Sequence, residues 1–349
     1  MPTALLESTH AAIRMEHTRT QITTQTSDAP VSTAVLSGDG PLYAELSHFG
    51  LLEFTGDDVQ SFLQGQLSCD VNALPRNHAV YGSYNSPKGR MFASFLLWRQ
   101  ADGYMMQLPR SLCLPVSKRL SMYVLRSRVK IEDKSAALTI AGVTGDGAEI
   151  ALHQTVKTVP SSPLTITTSD TVQVLRLDDT RFELIMAFAD AQRVQGALAN
   201  EARAISEAVW DRTNLHAGVP YITPATQDQF VPQMVNIDLI GGVSFNKGCY
   251  PGQEIVARMH YLGKLKQRMY LANIDSDAAP QPGDKLYSPE TGDQAAGMIV
   301  NAAPAAGRGH DVLAVMPIAD AISGKVRWSS LAGPPLTLLP LPYPVTAAP

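Results

Sequence analysis

From Tyr43 to about Thr213 the apolar residues switch repeatedly between strand-like and helical spacing, and this switching restricts the possible folds more than any other feature. Strand-like runs cover residues 79–84, 91–98 and 104–108, and a helical pattern over 111–123 follows the break at Pro109. Thr55-Gly56-Asp57-Asp58 reads as a capping-box-like start, after which Val59, Phe62, Leu63 and Leu67 recur at helical spacing. In residues 125–131, Leu125, Ser127, Val129 and Ile131 alternate with Arg126, Arg128 and Lys130, which predicts a strand with one basic face. The same grammar returns downstream, with strands over 171–177 and 182–188 and helices over about 190–200 and 202–213. Short strands mixed with helices in this way predict α+β units rather than a doubly wound parallel sheet. No GxGxxG follows a strand and no Walker loop occurs, so a nucleotide-binding fold has little support.

From Met269 the texture changes. Gly283, Gly292, Gly297, Gly307 and Gly324 punctuate short strand candidates such as 297–300 and 312–315, predicting a small all-β unit over 269–333 and a Pro-rich tail over 334–349. Residues 1–40 are rich in Thr, Ala and Ser without sustained periodicity and read as a disordered extension. The α+β region is expected over 41–268, with a division into two subdomains near 140–165. An apolar fraction of 45% and a charged fraction of 17% are ordinary for a soluble globular chain. No apolar run approaches a membrane span, and the N-terminus lacks the basic and apolar regions of a signal peptide, so a cytoplasmic protein without membrane contact is expected. The net charge of −4 gives no global nucleic-acid footprint, and no direct nucleic-acid binding is expected. The three cysteines, 69, 113 and 249, are too few and scattered for a disulfide framework or a self-contained metal site.

Lys247-Gly248-Cys249-Tyr250-Pro251-Gly252-Gln253-Glu254 is the most informative local motif. Ile255, Val256, Met259 and Leu262 continue it at helical spacing and Gly263 ends it, which places Cys249 in a turn just ahead of a helix N-terminus. Unpaired N–H groups and a neighbouring lysine favour the thiolate in such a place. From Lys247 to Arg268 there are five basic residues and one acidic residue, a local +4 within an acidic chain. Against this stands the ordinary role of a lone cysteine as a small buried hydrophobe.

These motifs together resemble the YgfZ-type folate-binding proteins, relatives of the aminomethyltransferase (T-protein) of the glycine cleavage system and of iron–sulfur assembly factors. The octapeptide and its continuation Ile255-Val256-Ala257-Arg258 match the family's signature. Phe230-Val231-Pro232-Gln233-Met234-Val235-Asn236 and Gly241-Gly242-Val243-Ser244-Phe245 match the approach to it. Phe62-Leu63-Gln64-Gly65-Gln66-Leu67 and Ser86-Pro87-Lys88-Gly89-Arg90-Met91 match its N-terminal landmarks. The resemblance spans roughly Tyr43 to Gly324. It implies ferredoxin-like folate-binding α+β domains of T-protein type, closed by a C-terminal β-barrel around a central hole that takes tetrahydrofolate. The implied role is support of iron–sulfur clusters in client enzymes, including enzymes that thiolate tRNA, with iron–sulfur client or assembly proteins as partners.

Carried onto this chain, the resemblance makes Cys249 a functional thiol assisted by Lys247. A folate tail needs cations, for which Lys88, Arg90, Arg126 and Arg258 qualify. A pterin needs apolar walls with a few placed polar groups, and Tyr84, Phe245 and Tyr250 are candidates for the walls. Gln253 is read as a bond to the turn backbone and Glu254 as a complement to the helix dipole, both within the expected ligand site. Two positions depart from the T-protein pattern. His216 stands in Leu215-His216-Ala217-Gly218 where relatives carry the Glu that meets the aminopyrimidine edge. No carboxylate occurs around Met91-Phe92-Ala93, where aminomethyltransferases carry an essential Asp. The second departure argues against ordinary glycine-cleavage catalysis. It leaves a folate-binding accessory protein as the first reading, with a folate-dependent one-carbon transferase or demethylase and a non-catalytic docking scaffold as alternatives. No metal site is expected.

Overall fold

The computed structural model describes residues 40–263 and 265–345. The chain runs β1 (Leu42–Glu45), β2 (Phe49–Thr55), α1 (Val59–Gln64), β3 (Ala79–Asn85), β4 (Met91–Gln100), β5 (Gly103–Pro109), α2 (Arg110–Ser121) and β6 (Lys130–Asp133). It continues with β7 (Leu138–Thr144), α3 (Ala148–Thr155), β8 (Thr165–Ser169), β9 (Val172–Arg176), β10 (Arg181–Ala187), α4 (Phe188–Glu201), β11 (Arg203–Ala204) and α5 (Glu207–His216). After a 3-10 turn at Pro232–Val235 come α6 (Gln253–Tyr261), β12 (Gln267–Ile274), β13 (Lys285–Tyr287), β14 (Gly297–Pro304), β15 (His310–Pro317), α7 (Ile318–Ser323), β16 (Arg327–Trp328) and β17 (Leu336–Leu339).

Three sheets result: β3-β4-β5-β2-β6, β11-β1-β7-β10-β9-β8 and β16-β13-β14-β15-β12-β17. All pairings are antiparallel except that of β1 with the short β11. The first two sheets face each other across a core containing Phe49, Leu51, Trp98, Met105, Ile140, Ile185 and Trp210. The outer face of the first sheet packs on α1 and α2 through Leu63, Phe95, Leu112 and Leu120, and also meets Met269, Leu271 and Leu313 of the third sheet. The outer face of the second packs on α3 and α4 through Leu152, Phe182, Leu184 and Val194. In the third sheet β17 pairs with β12 at one edge, and Arg327 of β16 at the other edge bridges Pro335 beside β17. The ends of the sheet therefore meet, and it curls into the expected barrel. The Pro-rich end is not a free tail: Leu336–Leu339 is a barrel strand.

Other local expectations give way to tertiary contacts. The strand expected over 125–131 is instead a turn after α2, with Leu125 at φ 47°, and β6 begins only at Lys130. The reason lies in Arg128: its N–H donates to Asp58 Oδ2 (2.8 Å), its carbonyl accepts from Asp58 N, and its guanidinium pairs with Asp57 at 2.8 Å. Asp58 consequently makes no side-chain cap to α1, which ends at Gln64, before Leu67. The second downstream helix starts at Glu207 rather than near Ala202, because Arg203 and Ala204 pair with β1. On α6, Val256 is buried, Ile255 sits against the Gly89 turn, and Leu262 is 83% exposed, so the apolar stripe is only partly used.

Strand β10 is buried on both faces, and its inward alternate positions place Arg181 and Glu183 between the two sheets. Arg181 is satisfied by Asp178 (2.7 Å) and Asn214 (2.5 Å). Glu183 receives Gln107 Nε2 at 3.1 Å, while its second oxygen has no protein partner. Burial pushes its carboxyl up to about 7, only partly opposed by Gln107 and Arg181. The native state thus holds a proton that the unfolded chain has already released, and stability must fall as pH rises from about 4.5 through 7. Denaturant unfolding at pH 5 and pH 8 should show that loss, and Glu183→Gln should remove roughly 3 kcal/mol of it. An identical pH slope in the variant would rule out Glu183 as the source.

Candidate functional site

The five signature segments, scattered over nearly two hundred residues, assemble into one surface. Lys247 Nζ donates to the carbonyl oxygens of Leu67 (2.6 Å) and Cys69 (2.8 Å), so the octapeptide is pinned to the end of the first landmark. Ser68 Oγ donates to Gly242 O at 2.6 Å and Ser244 N to Ser68 O at 2.9 Å, which docks the Gly-Gly segment beside it. Met91 N donates to Phe230 O at 2.8 Å, and Gln233 Nε2 reaches Val256 O at 2.7 Å inside α6. The Ser86–Arg90 turn meets the N-terminus of α6 directly. Gly252, at φ 77°, lies so close to that turn that a Cβ would fall 2.4 Å from Ser86 O and 2.5 Å from Gly89 Cα. Only glycine suits the position, on steric and conformational grounds together.

These contacts give the predicted residues distinct places. Lys247 is buried; burial pulls its ammonium down to about 8, and its bonds go to carbonyls, which makes it the anchor of the loop. Tyr250 is buried with its ring 5.2 Å from that ammonium, and Gln253 Nε2 donates to Lys247 O at 3.4 Å. Phe245 stacks on His260 at 3.8 Å between ring centroids. Cys249 is exposed, three residues ahead of the α6 N-cap. Burial pushes Cys69 up to about 12 and Cys113 up to about 11, so among the three free cysteines only Cys249 offers an accessible sulfur. Glu254, Arg258, Lys88 and Arg126 are exposed, and Arg90 bonds the carbonyl of Gln229. Tyr84 is buried, 6.0 Å from the ring of Phe92, and Arg119 lies 3.9 Å over Phe92 where the resemblance places a catalytic Asp.

The local +4 of the sequence largely dissolves in three dimensions. Lys247 is buried, and Arg268 is buried in a two-pronged pair with Asp238 (2.7 and 3.0 Å). Lys264 lies outside the described residues, leaving Arg258 and Lys266 as the exposed cations of the segment. His216 also has a partner: its Nε2 is 2.8 Å from Asp311 Oδ2 on β15, and Asn273 Nδ2 holds the other oxygen of Asp311 at 2.9 Å. That pair fastens the end of α5 to the barrel.

A cavity of about 260 Å³ opens between the first sheet, α5 and the barrel, and none of the twelve site residues expected from sequence lines it. Its walls come from His48 and Phe49 at the start of β2, Asp211, Asn214 and Leu215 of α5, Tyr221 in the following loop, and Pro282 and Asn301 of the barrel. Phe49 and Tyr221 form an aromatic wall, with ring centroids 4.7 Å apart. His48 bridges Glu207 (3.3 Å) and Asp211 (3.0 Å); burial disfavours its charge, but the two carboxylates prevail and raise it above the usual histidine range. Asn214 is 1% exposed, and Arg181 takes its oxygen, so its amide N–H groups remain without a protein partner. The cavity thus offers an aromatic wall, with the Asp211 carboxylate and the Asn214 side chain among its lining. No sequence motif marks these residues. Among the described residues no group of three or more His, Cys, Asp or Glu is placed to hold a metal ion, and no helix is long and apolar enough to cross a membrane.

Two paired ferredoxin-like sheets with a barrel closing on their junction form the aminomethyltransferase fold. The structure superposes on aminomethyltransferase T of the glycine cleavage system from Bartonella henselae with a TM-score of 0.71, covering 88% of this chain and 87% of that one at 14% identity, a likeness of fold. In sequence the chain is 32% identical over 244 residues to the tRNA-modifying protein YgfZ of Photobacterium profundum, covering 69% of this chain and 72% of the relative. It is 33% identical over 245 residues to the protein of the same name from an Enterobacter species, covering 69% and 74%. The chain belongs to the YgfZ family. No protein-family model matches it.

The buried anchor and the exposed thiol should respond differently to substitution. Lys247→Met leaves two buried carbonyls unpaired and should cost about 2 kcal/mol or more in denaturant unfolding. Cys249→Ser should change stability by no more than about 0.5 kcal/mol, as is usual for an exposed position. Equal stabilities for the two variants would contradict the anchoring role of Lys247.

Proposed function

We propose that this protein binds a reduced folate and supports an iron–sulfur enzyme of tRNA modification, presenting Cys249 as its working thiol. The observation that carries the folate reading is the cavity with its unpartnered Asn214 amide. A pterin has a flat ring, a ring carbonyl that accepts a hydrogen bond and amino and imino groups that donate them. Asn214 N–H groups suit the carbonyl, Asp211 suits the donors, and Phe49 and Tyr221 suit the ring faces. A volume of about 260 Å³ is just below the usual range for drug-sized ligands, so the heterocycle fits while the rest of the molecule extends through the mouth. His216 plays no part in this recognition, because Asp311 occupies it. The exposed cations Lys88, Arg126 and Arg258 lie off the cavity wall.

Cys249 has the exposure that a reacting sulfur needs, on a loop that Lys247 and Gly252 hold rigidly. A thiolate there attacks a disulfide or persulfide sulfur on a client protein. One S–S bond forms as another breaks, and the displaced sulfur leaves as a thiolate or hydrosulfide. The relatives' name, tRNA-modifying protein, supports a client in tRNA modification. Phe92 beneath Arg119 supports a role other than aminomethyl transfer, since no carboxylate is present to orient the amine.

Calorimetry with tetrahydrofolate tests the folate reading. The wild type should bind, and Asn214→Asp, which keeps the acceptor for Arg181 but removes the donor, should weaken binding at least tenfold, about 1.4 kcal/mol. Equal affinity in that variant would remove Asn214 from the ligand site. In cells lacking the protein, Cys249→Ser should fail to restore iron–sulfur enzyme activity although it folds and accumulates normally. Full restoration would end the thiol proposal.

A further inference from the structure

The segment after β17 crosses back to the folate-binding candidate and ends its described course against the cavity wall. Leu341 packs on the core of the first sheet, and the Tyr343 hydroxyl donates to Gly218 O at 2.6 Å. The contact is close. Gly218 stands at φ 66°, and a Cβ there would fall 2.5–2.7 Å from atoms of the Tyr343 ring, so the phenol lies directly on the glycine.

Gly218 opens the loop that forms one cavity wall. Three residues before it is Leu215 and three after it is Tyr221, both lining the cavity. Gly218 N donates to Leu215 O at 2.9 Å and Val219 N to Asn214 O at 3.1 Å, which couples the loop to the residues of α5 that face the ligand space. At its far end the Asn301 side chain takes both backbone groups of Tyr221, each at 2.9 Å. The loop is therefore held by α5 behind, by the barrel ahead and by Tyr343 from above. The first two ties are parts of packed elements. The third comes from the short segment after β17, which has no helix or strand of its own. The phenol also neighbours the Asn236 side chain and the buried Arg268–Asp238 pair, in the segment that leads to the octapeptide.

We propose that Tyr343 is a positioning residue for the cavity: its hydrogen bond to Gly218 holds the wall loop closed, and its release is the step that admits and discharges the ligand. The identity of the ligand rests on the folate reading above; the hold on the loop does not. A group that only latches a wall changes how fast a ligand passes in both directions and leaves the affinity almost unaltered.

Two measurements on the full chain test this, with Tyr343→Phe removing the hydroxyl and Tyr343→Ala removing the ring as well. In the absence of ligand, amide hydrogen exchange at Gly218, Val219 and Tyr221 should quicken about tenfold in Tyr343→Phe, on the scale of one lost hydrogen bond, while β14 and β15 stay protected. In stopped-flow mixing with tetrahydrofolate, association and dissociation rates should both rise by several-fold with Kd changed less than twofold. Tyr343→Ala should extend both effects. Unchanged loop exchange would overturn the positioning role. Faster exchange with unchanged rates, or a weaker Kd without faster association, would overturn the gating role. If the wild type binds no tetrahydrofolate, the folate reading falls, and the exchange comparison decides the role of Tyr343 by itself.

Discussion

Helix α5 ties the three sheets together, using a different side chain for each and a different physical reason each time. Trp210 is fully buried and lies flat on Gly142 of the second sheet. Glu207 accepts hydrogen bonds from the backbone N–H and hydroxyl of Ser47, and with Asp211 it clasps His48 next to the first sheet. His216 pairs with Asp311 of the barrel. Asn214 and Leu215 of the same helix line the cavity. A helix fixed so firmly makes a preformed wall, and a preformed wall avoids the ordering cost that binding would otherwise carry.

The octapeptide surface is built by the opposite logic. The octapeptide loop has little secondary structure of its own, and its shape is imposed by a buried ammonium and a glycine that admits no side chain. Lys247 holds the loop from inside while Cys249 faces outward, so the buried anchor and the exposed thiol are separated by Gly248 alone. The cavity and the octapeptide surface are linked through packed elements. Asn236 in the signature approach bonds Met269 O at the start of the barrel, and it neighbours the Tyr343 phenol that rests on the cavity loop.

Much of the fold was legible in the sequence because it rests on local periodicity. Strands β3, β4, β5, β9 and β10 and helices α2 and α4 lie close to where alternation and helical spacing put them. The errors arise where a distant residue decides. Arg128 alternates like a strand residue but is claimed by Asp57 and Asp58, and the basic cluster counts Lys247 and Arg268 as surface charge although both are internal. The octapeptide surface was legible as a set of motifs, since each of its segments is a recognisable string. The cavity was not, because His48, Asp211, Asn214 and Tyr221 come from element ends that only tertiary packing brings together. His216 is legible in the sequence only as a departure from the resemblance, whereas its bond to Asp311 on β15 depends on tertiary packing.

In the function proposed above, ligand recognition belongs to the α5 cavity and not to the motif-rich surface around Cys249. Hydrogen exchange of the wild-type protein with and without saturating tetrahydrofolate separates the two most directly. New protection confined to residues 47–50, 211–223 and 299–302 is the expected footprint. Protection over 86–90 and 247–258, with the cavity segments unchanged, would contradict it and move the ligand site to the octapeptide.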